Sequence, residues 1–371
     1  MNQRIRFRMF AHSWVSDWNH GNAHFLRGLA HELAKLSHEV RCYEQENSWS
    51  RAHLEQEGQE VARRATQQFY ESFPELDVKF YRNDERFDSF AIEQLQDADV
   101  VIIHEWNPPE IVNKLLSLKK RLGFRALFHD THHRAYTSPG EILQLDLKSF
   151  DGVLAFGRAI QRIYQDGFGV PRAWTFHEAA DTTHFRSLEA QRINDVIWVG
   201  NWGDEERTRE LDEFLIQPAA NLGAKVAVHG VRYPREAQVR LSQAGIQYRG
   251  YLSNLEAPQA YAQSAVTVHV PRRFYANGLS GVPTIRVFEA LACGIPLLSA
   301  PWTDTEGLFR EGADYLCLPN RPAMEAEMRC LLRDERARSQ MADQGLNTIR
   351  QRHTCAHRAQ QLVEICEELG R

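Results

Sequence analysis

The segment Asn277–Trp302, NGLSGVPTIRVFEALACGIPLLSAPW, carries the residue types that bind a diphosphate. A Gly/Ser loop leads to Pro283, which suits the first position of a helix, and Gly294 suits its stop. A helix entered this way presents free backbone N–H groups and the positive end of its dipole, which together attract an anion. Glu289 falls inside that helix, where a carboxylate can accept hydrogen bonds from a ribose diol. Arg286, about one turn earlier, adds a fixed positive charge. The same spacing fits equally a helix in which Glu289 only caps or pairs.

A second group of chemically capable residues lies in the first half, which holds twelve of the sixteen histidines at or before His184. In Phe128–Arg134, FHDTHHR, the predicted strand ends at His129 and Asp130. Open α/β sheets bind ligands at that strand end. The ordinary pKa of His129 suits either a hydrogen bond to a sugar hydroxyl or proton transfer. His129, Asp130, His132 and His133 are also metal-ligand types, but adjacent histidines after a strand share no fixed face. His104-Glu105-Trp106-Asn107 ends another strand, so Glu105 is a candidate acceptor-orienting group or base, or a solvated loop acid. Gly21, Asn22 and His24 fill the loop after the first strand, beside His12, Trp14, Trp18 and His20, side chains that suit stacking on a ring. Trp202 follows a predicted strand end at Gly200 and is a candidate for lining a nucleotide pocket or for ordinary packing.

The elements that position these residues alternate. IRFRMFA predicts a strand, and AHFLRGLAHELAKL a helix whose Phe25, Leu26, Leu29, Leu33 and Leu36 recur at helical spacing. HEVRCY follows as a strand, completing a βαβ unit that implies a parallel sheet. Residues 51–75 read as an inserted charged helix. DVVIIH, the strand at 126–129, DGVLAF and the strand at 173–176 continue the alternation with helices between them. Residues 178–194 are polar, a candidate linker. A second alternation starts at DVIWVG, with a helix over 207–222, AKVAVHG, IQYRGYL, AVTVHV, PTIRVFEALACG and PLLSA, and ends in a helical tail. The expected organisation is α/β, with Rossmann-like domains over 1–180 and 190–350 and a terminal helix over 351–371 packing back toward the first.

Composition removes several function classes. The chain has 43% hydrophobic and 25% charged residues among 371, which is not the make-up of a disordered protein. A net charge of −5 opposes a polyanion-binding surface over the whole molecule, and Arg272-Arg273-Phe274-Tyr275 is one basic-aromatic patch that a phosphate explains more economically than nucleic acid. No apolar run reaches membrane-span length, and the first residues lack the apolar core of a secretion signal. Six scattered cysteines with no C-x-x-C pair fit reduced thiols in a cytoplasmic protein.

The central segment resembles the nucleotide-binding signature of glycosyltransferases with the twin-Rossmann GT-B fold, close to the family-four-like and spore-maturation-protein (CgeB-like) branches. The resemblance rests on Arg286, Phe288, Glu289, Ala292, Cys293 and Gly294, with support from WVGNWGDEERTREL, HTCAHRAQQLVEI and HGNAHFLRGLAHELAKLSHEV. It implies two domains facing a cleft, the second holding a nucleotide-diphosphate sugar, UDP-linked, and the first a hydroxyl-type acceptor. Glu289 then takes the ribose, and the backbone of Val282, Pro283 and Thr284 the diphosphate. Arg207 or Arg286 neutralises the leaving group. His129, of the His129-Asp130 pair, faces the transferred sugar. Gly21 approaches the donor, and Tyr251, in Arg249-Gly250-Tyr251-Leu252, occupies a base-contacting position. The branch is mostly retaining and works without a metal or a separate cofactor. Where the family places a second acid, this sequence has Gly281. The alternatives are a nucleotide-sugar 2-epimerase, which turns over the donor without an acceptor, and a binding protein that has lost catalysis.

Overall fold

The computed structural model describes residues 4–370; residues 1–3 of the expected first domain and Arg371 of the expected last helix lie outside the described residues. The chain divides into two compact units. Unit 1 takes the chain up to Glu178 and again from Cys355, and unit 2 is Ala179–Thr354.

Unit 1 is built on β1 (Arg6–Phe10), β2 (Glu39–Gln45), β3 (Asp77–Tyr81), β4 (Val100–His104), β5 (Arg125–Asp130), β6 (Gly152–Ala155) and β7 (Ala173–Thr175). They form one parallel sheet of order β3-β2-β1-β4-β5-β6-β7. Every residue of β4, VVIIH, is buried, as expected of an interior parallel strand covered on both faces. Helix Ala23–Lys35 buries Phe25, Leu26, Leu29 and Leu33, but Leu36 is 50% exposed because the helix stops at Lys35. Residues 51–75 make two helices, Trp49–Gln56 and Gln59–Ser72, broken at Gly58 with φ +126°. β3 has no apolar run to announce it in the sequence, since DVKFY lies on the sheet edge and has only one buried residue.

Unit 2 repeats the plan with β8 (Asn194–Val199), β9 (Val226–His229), β10 (Gln247–Tyr248), β11 (Ser264–His269), β12 (Leu297–Ser299) and β13 (Leu316–Cys317). These are parallel in the order β10-β9-β8-β11-β12-β13. The helix expected over 207–222 is interrupted by a wide turn at Asp212–Ile216, after which Gln217–Leu222 resumes. Pro218 lacks the N–H that a regular helix would donate to the carbonyl of Phe214, which accounts for the break. Helix Ile285–Ala292 begins two residues later than Pro283 predicts, because Thr284 is still extended (φ −78°, ψ 158°).

In each unit the strand order reverses beside the first strand, between β1 and β4 and between β8 and β11. Loops leaving adjacent strands there depart to opposite sides and open a crevice at the carboxyl edge. The last helix, Cys355–Gly370, belongs to unit 1 and packs on Ala23–Lys35. Arg358 Nε donates to the His177 carbonyl at 2.8 Å, and Gln361 Nε2 to that of Thr175 at 2.9 Å. Gln351 and Arg352 instead finish the preceding helix, Glu335–Arg352. No helix among the described residues is long and apolar enough to cross a membrane.

Leu362 is fully buried on that last helix. Leu362→Ala is expected to destabilise unit 1 by about 2–5 kcal/mol, read as a lower urea midpoint for its unfolding transition.

Candidate functional site

At the carboxyl end of β8 the chain turns through Gly200, Asn201, Trp202 and Gly203 into Arg207. Gly203 has φ +78°, and a Cβ there would lie 2.6 Å from Arg207 Nε, so only glycine lets the arginine fold back over the turn. The guanidinium is buried. Nη1 donates to the Val270 carbonyl at 3.1 Å, and Nη2 to the carbonyl and side-chain oxygens of Asn201, both at 2.7 Å. Its carbon stands 5.0 Å over the Trp198 ring. Nε has no partner among the described residues. Burial pulls this group down to about 9, and the Arg272 and Arg286 charges add to the effect. Arg272 is paired with Glu206 and donates to Asn201 Oδ1 at 3.3 Å. The switch point of unit 2 is therefore electropositive, with Arg207 held by neutral oxygens.

Glu289 is fully buried and paired with Arg286, and Tyr261 Oη donates to its Oε2 at 3.5 Å. Burial first, and then the Glu289 charge, raise Tyr261 and Cys293 above their ordinary values. Val282 and Pro283 are buried, and Thr284 Oγ1 bonds His269 Nε2 at 3.1 Å. His269 Nδ1 meets Ser299 Oγ at 2.9 Å, and burial lowers the imidazole to about 3, with Arg207 contributing. The sequence reading missed His269, although it ends β11 just as His129 lies at the end of β5.

Gly281 has φ +89°, and a Cβ there would fall 2.4 Å from Thr305 Oγ1 and 2.8 Å from Glu306 Cγ. The backbone is fixed in place by Gly281 N–H donating to the Thr303 carbonyl at 2.8 Å. No acidic side chain fits at this position without moving that loop. Trp202 is 8% exposed and packs into the unit 2 core, 5.6 Å from the Tyr233 ring. Tyr251 is half-buried in the loop after β10.

In unit 1, His129 and Asp130 are both fully buried, but neighbouring strand residues point to opposite faces. Asp130 accepts from Tyr164 Oη at 2.6 Å and from the His132 N–H at 2.9 Å. His129 lies among Phe25, Phe176 and His104, and neither ring nitrogen has a partner among the described residues. Burial lowers it to about 3. The acid therefore sits across the strand from the imidazole and cannot orient it.

Glu105 is buried, with Oε1 accepting from the Thr131 N–H at 2.8 Å and Oε2 from Arg134 Nε at 3.1 Å. Burial and the charge of Asp130 push its carboxyl well above the usual range. Gly21 offers its carbonyl to His24 Nδ1 at 3.2 Å. Glu44, at the end of β2, accepts the N–H groups of Trp14 and Val15, both at 2.7 Å, and burial raises it to about 7. Its strand-end position was the one signal that could have singled it out.

Solved structures share this architecture. HepE from Anabaena, in complex with UDP and glucose, aligns over 98% of this chain and 100% of its own, at 12% identity and TM-score 0.65. An alpha-glucosyltransferase in complex with UDP and a 13-mer DNA containing an HMU base aligns over 98% and 100%, at 13% identity and TM-score 0.70. Sucrose-phosphate synthase from Thermosynechococcus elongatus aligns over 99% of each chain, at 13% identity and TM-score 0.67. The fold is thus α/β of the GT-B glycosyltransferase type. More narrowly, residues 207–364 match the family model described as Glycosyl transferase-like, a span that contains Arg207, Gly281, Arg286 and Glu289. No curated protein matches the sequence.

The buried imidazoles carry a pH consequence. His12, His129 and His269 are lowered to about 3 and His229 to about 4, all by burial. The unfolded chain therefore binds protons below about pH 6.5 that the folded chain refuses. The histidine contribution to stability is complete above that pH and is lost as pH falls toward the folded values, while Glu44, raised to about 7 by burial, takes up a proton on the folded chain over the same range and offsets part of that loss. Between about pH 6.5 and about pH 4.5 the urea midpoint of His269→Gln should fall less with pH than that of the parent chain, by about one proton's share of the slope.

Proposed function

We propose that the protein is a glycosyltransferase that moves a hexosyl group from a UDP-linked donor to a hydroxyl-type acceptor, with retention at the anomeric carbon. The observation that carries this reading is Arg207, a buried guanidinium held by carbonyl and amide oxygens at the carboxyl edge of β8. A buried cation so placed gains most from an anion arriving at the same edge. The diphosphate departs bearing negative charge, so a preorganised cation lowers the barrier to breaking the sugar–phosphate bond. Arg286 and the N-terminus of helix Ile285–Ala292 act on the same charge, and Glu289 takes the ribose. Unit 1 receives the acceptor, with His129 toward the transferred sugar.

Two strands of similarity support the proposal: the family match over 207–364, and neighbours whose structures contain UDP, with glucose or with DNA. The run from Arg286 to Gly294 supports a place near the spore-maturation-protein branch. The half of the chain with the least sequence signal, unit 1, is where the acceptor hydroxyl must be chosen.

UDP should raise the melting temperature of the full chain, as any ligand of the folded state does. Arg207→Met should keep the fold by circular dichroism and lose at least about tenfold in UDP affinity, roughly 1.4 kcal/mol, by calorimetry. Unchanged affinity would remove Arg207 from the site. Glu289→Ala should likewise cripple donor affinity, and unaltered UDP binding in that variant would reject the ribose assignment.

A further inference from the structure

At the amino edge of its sheet, opposite the edge that carries Arg207, unit 2 holds a cavity of about 220 Å³ that the transfer proposed above does not use. Arg192 lines it ahead of β8, Tyr261 ahead of β11 and Cys293 ahead of β12, while Arg338 and Asp343 close it from helix Glu335–Arg352. Sites for drug-sized ligands run to about 300–1,000 Å³, so this one is sized for a smaller molecule than a nucleotide.

Arg338 is 8% exposed, and its guanidinium is only partly matched. Nη1 donates to the Leu331 and Leu332 carbonyls at 2.5 and 3.1 Å, which closes the end of helix Arg321–Arg333. Nη2 stands 4.0 Å from the carboxylate of Glu335, an exposed group that Arg192 also reaches, at 3.3 Å. Nε has no partner among the described residues. A buried N–H on a charged group is costly to leave unmatched, and such atoms are almost always satisfied by water or ligand where not by protein.

The electrostatics narrow what can satisfy it. Two guanidiniums oppose a cation, and the carboxylate they share is exposed, as is that of Asp343, so water screens both. The carbonyls of Glu289, Ala290 and Leu291, at the end of helix Ile285–Ala292, are taken by the N–H groups of Cys293, Ile295 and Gly294. What the cavity lacks is an acceptor for Arg338 Nε. An oxyanion supplies one, since a guanidinium matches the oxygens of phosphate and carboxylate alike. The cavity also reaches the residue assigned to the ribose. Tyr261 both lines it and donates to Glu289 Oε2 at 3.5 Å. Cys293 directly follows the helix that carries Arg286 and Glu289, an eight-residue element about 12 Å long. Helix Glu335–Arg352 packs on that same helix, and a Cβ on its Gly345 would fall 2.7 Å from Leu291 Cδ2.

We propose that this cavity is an effector site for a small oxyanion, held by Arg338 Nε and Arg192, that acts on the helix of Glu289 through Tyr261 and Cys293. The proposal rests on the glycosyltransferase reading only for what Glu289 binds.

The Arg338 Nε–H signal of the isotope-labelled full chain reports the contact by NMR. The probes are inorganic phosphate, glycerol 3-phosphate and citrate. Each is added to the parent chain saturated with UDP and to Arg207→Met, which sets binding at the donor edge apart. At least one probe should shift the Arg338 signal and the Tyr261 ring signals together. Phosphate alone would name the free ion as the source, glycerol 3-phosphate a phosphate ester, and citrate a carboxylate. Ala342→Phe, which fills the cavity, and Arg192→Gln leave the Arg338 cap intact, and each should weaken that binding, by about tenfold and about fivefold. By linkage, the bound oxyanion should change UDP affinity at least about fivefold, and Ala342→Phe should abolish the change. An Arg338 signal indifferent to all three probes, shifts that both variants leave in place, or a UDP affinity that ignores the bound oxyanion would each overturn the proposal. Failure of UDP to bind at all would instead overturn the transferase reading, with the Arg338 and Tyr261 signals in Arg207→Met still able to decide the cavity.

Discussion

Parallel strand pairing is the constraint on which the rest of the molecule depends. It forces every crossover to return to the same end of the sheet, so all carboxyl ends lie along one edge of each unit. Residues at those ends inherit a common position, whatever their distance in sequence. His104, His129, Glu44 and the loop of His12 and His20 meet at one edge for this reason, and Arg207, His229 and His269 at the other unit's corresponding edge. Helices on both faces make these places buried, and burial turns ordinary polar side chains into strongly perturbed ones.

The two edges use burial in opposite electrostatic senses. In unit 2 it surrounds the Arg207 guanidinium with neutral oxygens and pulls it down to about 9, still above neutrality, so a positive charge persists at the carboxyl edge. In unit 1 it drives imidazoles to their neutral form and pushes the Glu105 carboxyl well above its usual range, and the Arg134 charge reinforces neutrality at His12 and His104. One edge thus keeps a buried guanidinium and the other a set of neutral imidazoles.

The sequence carried the alternation of elements because interior parallel strands such as DVVIIH are apolar along their whole length. It did not carry β3, whose edge position needs no such run, nor the breaks at Gly58 and before Pro218, where single residues interrupt longer helical patterns. Among candidate site residues, Arg207 was visible as a basic residue after a strand and a glycine. The separation of His129 from Asp130 follows from strand pleat and was within reach of the sequence. The pairing of Glu289 with Arg286 was also legible, as one of two outcomes of the same spacing. What excluded a side chain at Gly281 was not legible, because Thr305 and Glu306 reach it from a distant part of the chain.

Unit 2 is inserted into the chain of unit 1, since the helix Cys355–Gly370 that completes the first unit is separated from it by the whole of the second. On a ribosome the first unit is therefore begun first and finished last. Until residues beyond Thr354 emerge, Phe25 and its neighbours on helix Ala23–Lys35 lack the apolar surface they pack against. Unit 2, by contrast, can close as soon as its own helix Glu335–Arg352 is made. The order of synthesis thus favours a closed second unit attached to a first unit that still lacks its last helix.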